Sequence, residues 1–160
     1  MKIRIAGIVK ESIVDGTGIR FSVFTQGCPH RCKGCHNSHT HDFKGGTETD
    51  VSEVITQFEQ NPLLDGITLS GGEPFCQAAA CNELAKAAKK LNKTVWCYTG
   101  YKLQELLKMT KTDEDIKNLL CNIDILVDGK FDETKTDHTL KFKGSKNQKI
   151  IDLNSLQVYD

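Results

Sequence analysis

A chain of 160 residues with 38% apolar and 26% charged residues has the composition of one globular domain, and it is long enough to bury a core without staples. Its 21 basic and 21 acidic side chains cancel, which argues against a partner held by bulk charge, such as nucleic acid or an anionic membrane. The opening MKIRIAGIVKES has neither the apolar stretch nor the cleavage pattern of a secretory leader, and no run approaches the roughly 18 apolar residues of a spanning helix, so a cytoplasmic location is expected.

Residues 2–9 (KIRIAGIV) and 19–26 (IRFSVFTQ), rich in β-branched and aromatic side chains, predict two strands joined by a turn at Asp15-Gly16-Thr17-Gly18. A cysteine-containing loop follows the second strand. Asp50 then predicts the cap of a helix over 51–60, with Glu53 completing a capping box and Asn61-Pro62 ending it. Residues 66–70 (GITLS) read as a strand closed by Gly71-Gly72, and an alanine-rich helix is expected from about 76 to 91. A strand at 94–98 (TVWCY), helices at 102–109 and 113–120, a strand at 123–127 (IDILV) and a last strand at 149–152 complete the series. Strands and helices alternate over short connections, the pattern of βαβ units. The units are too few for an eightfold barrel, so the expected fold is α/β: a compact partial (open) β/α barrel with a mainly parallel sheet, in a single domain spanning 1–160. Gly71-Gly72, Thr99-Gly100 and Asp128-Gly129 all fall at carboxyl ends of strands, the edge where such sheets bind ligands.

The seven cysteines are unevenly spread. Cys28, Cys32 and Cys35 cluster in Cys28-Pro29-His30-Arg31-Cys32-Lys33-Gly34-Cys35-His36-Asn37, whereas Cys76, Cys81, Cys97 and Cys121 are scattered and read as buried small hydrophobes. In a reducing compartment a tight cluster points to metal or redox chemistry. Three thiolates in C-x3-C-x2-C spacing can hold a [4Fe–4S] cluster and leave one iron open to substrate. A Cys3His zinc site is the competing reading, with His30, His36, His39 and His41 close by in sequence; His39 and His41 also suit solvated loop positions. Gly71 and Gly72 read either as a strand-ending turn or as backbone left bare for a ligand. There is no Walker loop, GxGxxG or Ser-His-Asp order, and Gly45-Gly46 is a loop.

C-x3-C-x2-C after a strand resembles the signature of the radical S-adenosylmethionine superfamily. Ser70-Gly71-Gly72-Glu73-Pro74 is similar to its GGEP motif, and Asp15-Gly16-Thr17-Gly18-Ile19-Arg20 to the D-G-P-G-x-R lead-in of glycyl-radical activases. The segments WCYTGY (96–101), LVDGKF (126–131) and KGSKNQ (143–148) resemble the activases of anaerobic (class III) ribonucleotide reductase, and the likeness runs from about residue 3 to 153. Gly34 stands where the superfamily commonly has an aromatic residue, which removes adenine stacking there, and Thr17 stands where the lead-in usually has proline.

The resemblance implies a radical enzyme. Cys28, Cys32 and Cys35 would ligate the cluster, and S-adenosylmethionine would chelate the open iron and be reductively cleaved to methionine and a 5′-deoxyadenosyl radical. That radical would take a hydrogen from a glycine of the partner, the large subunit of anaerobic ribonucleoside-triphosphate reductase, with a flavodoxin or ferredoxin-type protein as reductant. By the same resemblance Gly72 would contact the methionine ammonium and Glu73 would support that pocket. Asp128 and Lys130 would face the methionine or ribose, Tyr98 and Thr99 would line the cavity, and Gly34, Cys35 and His36 would lie against the cofactor. Residues 143–148 would close over the cofactor or meet the partner, and 15–20 would meet the partner. An activase of another glycyl-radical enzyme, such as pyruvate formate-lyase, and a non-catalytic zinc module remain as alternatives.

Overall fold

In the strands Arg20–Thr25 (β2), Gly66–Gly71 (β4), Thr94–Tyr98 (β5) and Ile125–Asp128 (β6), successive side chains point to opposite faces of the pleat. One face carries Phe21, Val23, Ile67, Leu69, Val95, Cys97 and Leu126, all fully buried. The helices Val51–Glu59 (α1), Ala78–Lys90 (α2), Leu103–Met109 (α3) and Glu114–Cys121 (α4) cover that face, adding Val54, Phe58, Leu84, Ala85, Leu106, Ile116 and Leu119 to one core. The opposite face carries Trp96, Val127 and Ile150 as a smaller cluster, with Tyr98, Ile125 and Phe142 packed against it. Among the described residues no helix contributes to this second cluster.

The remaining strands are Lys2–Ser12 (β1), Thr47–Asp50 (β3), Lys149–Asp152 (β7) and Gln157–Tyr159 (β8). The computed structural model describes residues 1–159. All eight strands join one sheet in the order β3-β1-β2-β4-β5-β6-β7-β8. β2, β4, β5 and β6 run parallel; β1 and β3 on one side, and β7 and β8 on the other, add in antiparallel fashion. The parallel part is thus a central block rather than most of the sheet. The order leaves β3 and β8 as free edges, so the sheet is open.

β3 and β8 are absent from the sequence reading because Thr47–Asp50 is a short polar stretch and Gln157–Tyr159 is only three exposed residues long; they exist as partners of β1 and β7. The expected capping box of α1 does not form: Asp50 makes no side-chain cap bond, Glu53 accepts from the Thr49 hydroxyl at 3.2 Å, and the Val51 N–H donates to the Met1 carbonyl. Residues 74–77 form a 3-10 turn before α2 begins at Ala78, because Glu73 caps the Phe75 N–H. Cys81 and Cys97 are buried as expected, but Cys76 and Cys121 are exposed, lying at the start of the 3-10/α2 junction and at the end of α4.

The lead-in residues are a clamp beneath the sheet. The Arg20 side chain is fully buried and donates to the hydroxyls of Thr68 and Thr94 and to the carbonyls of Thr17, Ile67 and Thr94, at 2.6–3.3 Å. Burial draws its guanidinium down to about 10. Asp15 accepts from the hydroxyls of Ser12 and Ser22.

Candidate functional site

The cysteine loop leaves the carboxyl end of β2 and is rooted by backbone bonds. The Gln26 N–H donates to Arg4, Gly27 N–H to Thr40 and Cys28 N–H to His41, while the Gln26 amide donates to the carbonyls of His39 and Asp42. Beyond Cys28 the chain is irregular as far as Asn37. Cys28, Cys32 and Cys35 line one open cavity of about 1280 Å³ that lies over the helix-free face of the sheet. His36, Gly72, Tyr98 and Thr99 line it too. Burial pushes the Cys28 thiol up, and the N–H groups of His30 and Arg31, turned onto its sulfur, draw it back.

Among the described residues no three Cys, His, Asp or Glu side chains converge on one point, so the thiols share a cavity rather than a single centre. The donor set nonetheless suits a cluster. Three thiols on one loop face a space far larger than a single ion. A zinc site needs a fourth donor at about 2.0–2.3 Å. His30, the histidine inside the cysteine motif, is committed elsewhere: its Nε2 bonds the Glu73 carboxylate at 2.7 Å.

Glu73 is the hub beneath the cavity. Its carboxylate is completely buried and accepts from His30, from the Thr99 hydroxyl at 2.9 Å, and from the N–H groups of Gly100 at 2.9 Å and Phe75 at 3.1 Å. The Thr99 hydroxyl in turn accepts from the Tyr101 N–H. One carboxylate thus joins the ends of β4 and β5 to the cysteine loop. Glu73 and the Thr99 hydroxyl support the cavity rather than project into it.

Gly72 lies where β4 passes the root of the loop. Its N–H donates to the Thr25 carbonyl, the next N–H, of Glu73, donates to Gly27, and a Cβ at Gly72 would collide with the Gly27 carbonyl. Glycine is required here by the close approach of two backbones.

Four of the expected residues do not line the cavity: Gly34, Glu73, Asp128 and Lys130. Gly34 faces the Glu133 carboxylate. Lys130 is exposed, and its carbonyl accepts from the Asn147 amide at 2.8 Å. Asp128 is buried on the helix side, where its carboxylate accepts from the Leu103 N–H at 2.8 Å at the start of α3. The reason is register: β6 runs one residue further than expected, so the pleat that turns Val127 to the cavity side turns Asp128 away. Residues 143–148 are folded onto the chain itself; the Gln148 amide accepts from the N–H groups of Gly144 and Ser145 and donates to the Gly129 carbonyl. Sequence reasoning placed Gly100 at a strand end but missed its N–H bond to Glu73 and the Glu73–His30 link. A contact spanning 43 residues has no local signature.

The model of a 4Fe-4S single cluster domain matches residues 14–151, which places the chain in an iron–sulfur class. Haemophilus influenzae has an anaerobic ribonucleoside-triphosphate reductase-activating protein 36% identical over 148 residues, covering 86% of this chain and 90% of that protein. The protein of the same name from Escherichia coli K12 is 33% identical over 147 residues, covering 86% and 91%, and that of Enterobacteria phage T4 is 32% identical over 146 residues, covering 86% of each. The chain belongs to this family of activating enzymes. Among solved structures, QueE from Escherichia coli superposes on 62% of this chain and 53% of its own, with 16% identity and a TM-score of 0.48.

Proposed function

We propose that this chain holds a [4Fe–4S] cluster on Cys28, Cys32 and Cys35, binds S-adenosylmethionine beside it, and places a glycyl radical on an anaerobic ribonucleoside-triphosphate reductase. The observation that carries this reading is the single cavity in which the three thiols meet the carboxyl ends of β4 and β5. We read the open sheet as a partial barrel of the radical S-adenosylmethionine type, with the helix-free face as its interior. The volume exceeds the roughly 300–1,000 Å³ of ordinary small-ligand sites, which leaves room for a nucleoside cofactor and an incoming peptide segment.

When bound, the cluster and S-adenosylmethionine supply one-electron reductive cleavage and hydrogen-atom abstraction. The chain's own residues bind, orient and exclude water. An ammonium needs acceptors, and since the Gly72 N–H is engaged by Thr25, the Gly72 carbonyl is the group to meet it. Tyr98 offers a largely buried ring as the floor, and burial pushes its phenol well above its ordinary value, keeping it neutral. His36 packs against Phe131 with the rings tilted by 55° and their centroids 5.4 Å apart, bracing the outer part of the loop. Asp128 acts through α3 and the Tyr98–Tyr101 turn, and Gly34 and Lys130 act from outside the cavity wall.

The near-zero charge suits a partner recognised by shape and apolar contact. The hairpin tip at Ile13 and Val14, 75% and 71% exposed, rims the cavity and is where the reductase segment carrying the target glycine would enter. A flavodoxin or ferredoxin-type cytoplasmic reductant would complete the system. The test is anaerobic reconstitution. The isolated protein with a strong reductant should cleave S-adenosylmethionine slowly, and with a class III reductase it should produce a glycine-centred radical visible by electron paramagnetic resonance. Cleavage without that radical removes the assigned partner; colourless protein with one zinc per chain removes the whole reading.

A further inference from the structure

His30 is the part of the cysteine loop that reaches the sheet. Its side chain is almost wholly buried, its Nε2 bonds Glu73 at 2.7 Å, and its ring lies edge-on to Tyr101 with centroids 4.5 Å apart. Between Cys28 and Asn37, no other side chain among the described residues hydrogen-bonds to the sheet or to its strand ends. Gly100 is bare on the far side, where a Cβ would collide with the His30 ring.

We propose that His30 is a positioning residue: through Glu73 it ties the cysteine loop to the ends of β4 and β5. The proposal rests on the cluster assigned above. Losing the tether frees the loop that carries all three thiols, so the cluster should be held less firmly and its surroundings, which set its potential, should change. Groups that orient metal ligands typically contribute about ten- to a hundredfold in affinity.

The test uses full-length protein reconstituted anaerobically, with iron per chain and the midpoint potential of the cluster as readouts; neither needs the reductase or turnover. His30→Ala should lose iron to a chelator at least about tenfold more readily and have a midpoint potential measurably different from wild type. His30→Gln, whose amide nitrogen falls near the Nε2 position, should restore both. His30→Asn, whose amide falls near Nδ1 and short of Glu73, should not. Gly100→Ala, which keeps the imidazole but displaces it, should resemble His30→Ala. Wild-type iron retention and potential in His30→Ala and Gly100→Ala would overturn the proposal, as would equal behaviour of the Gln and Asn variants. An iron-free wild-type protein would instead overturn the cluster reading itself.

Discussion

At the scale of single residues the site depends on three thiols and on two backbones that pass within van der Waals contact. On the proposed ligand set, Cys28→Ala, Cys32→Ala and Cys35→Ala each remove one of three thiols on one loop, and each should abolish the cluster. Cys81→Ala and Cys97→Ala lie in the helix-side core and should leave iron per chain near wild type. Iron analysis and visible absorbance after reconstitution distinguish the two sets. Gly72 carries a sharper expectation. Read as a bare strand edge, Gly72→Val should weaken cofactor binding and spare the iron. With the Gly27 carbonyl in the way of any Cβ, even Gly72→Ala has to push the root of the cysteine loop, so iron content should fall together with S-adenosylmethionine affinity. Retention of full iron in Gly72→Ala would contradict that geometry.

At the scale of elements, Asp124 and Arg20 hold strands to their neighbours. Burial raises the Asp124 carboxyl, but the Asn154 amide, Lys89 and the Val95 N–H bond it strongly enough to hold it below its ordinary value. This one side chain thus links α2, β5 and the turn between β7 and β8. A carboxyl held below 3.8 stabilises the fold fully above that value and loses its contribution as pH falls through the lower folded-state pKa. Asp124→Asn should therefore be destabilising by about 1–3 kcal/mol near neutrality, which is several degrees of Tm for a domain of this size, and the gap to wild type should narrow near pH 3. A gap that widens on acidification would reverse the sign of the argument. Arg20→Lys keeps a charge but loses the planar fork that reaches β4 and β5 together. It should lower Tm by a comparable amount while iron binding persists. The lead-in motif thus acts as an internal clamp; unchanged Tm with weakened partner activation would return it to the docking role its position in sequence suggested.

At the scale of the whole molecule, one face of the sheet is sealed by four helices and the other is left to the cavity. No helix among the described residues is long and apolar enough to cross a membrane. The open side is bounded by the β1–β2 hairpin tip and by residues 136–144, so a partner entering there meets Ile13 and Val14 first. The double substitution Ile13→Asp, Val14→Asp touches neither thiols nor sheet core. It should leave S-adenosylmethionine cleavage by the isolated protein unchanged and reduce the glycyl-radical signal on the reductase by about tenfold or more. An unchanged radical yield would place the contact elsewhere on the rim.

The sequence by itself determined what rests on local spacing and periodicity. The C-x3-C-x2-C loop follows a strand, Gly71-Gly72 ends another, and GITLS and TVWCY are themselves strands. These are short-range facts, fixed by chain connectivity and by the two-residue repeat of a strand. Only the tertiary structure decided what depends on partners far along the chain. β3 and β8 are strands because β1 and β7 offer them free edges. Arg20 is a buried clamp because Thr68 and Thr94 come to it from two other strands. Asp128 turns to α3 because β6 extends one residue beyond its apolar run. His30 is bonded because a carboxylate on another strand end is buried beneath it and must find donors, a requirement of desolvation that no spacing of residues records.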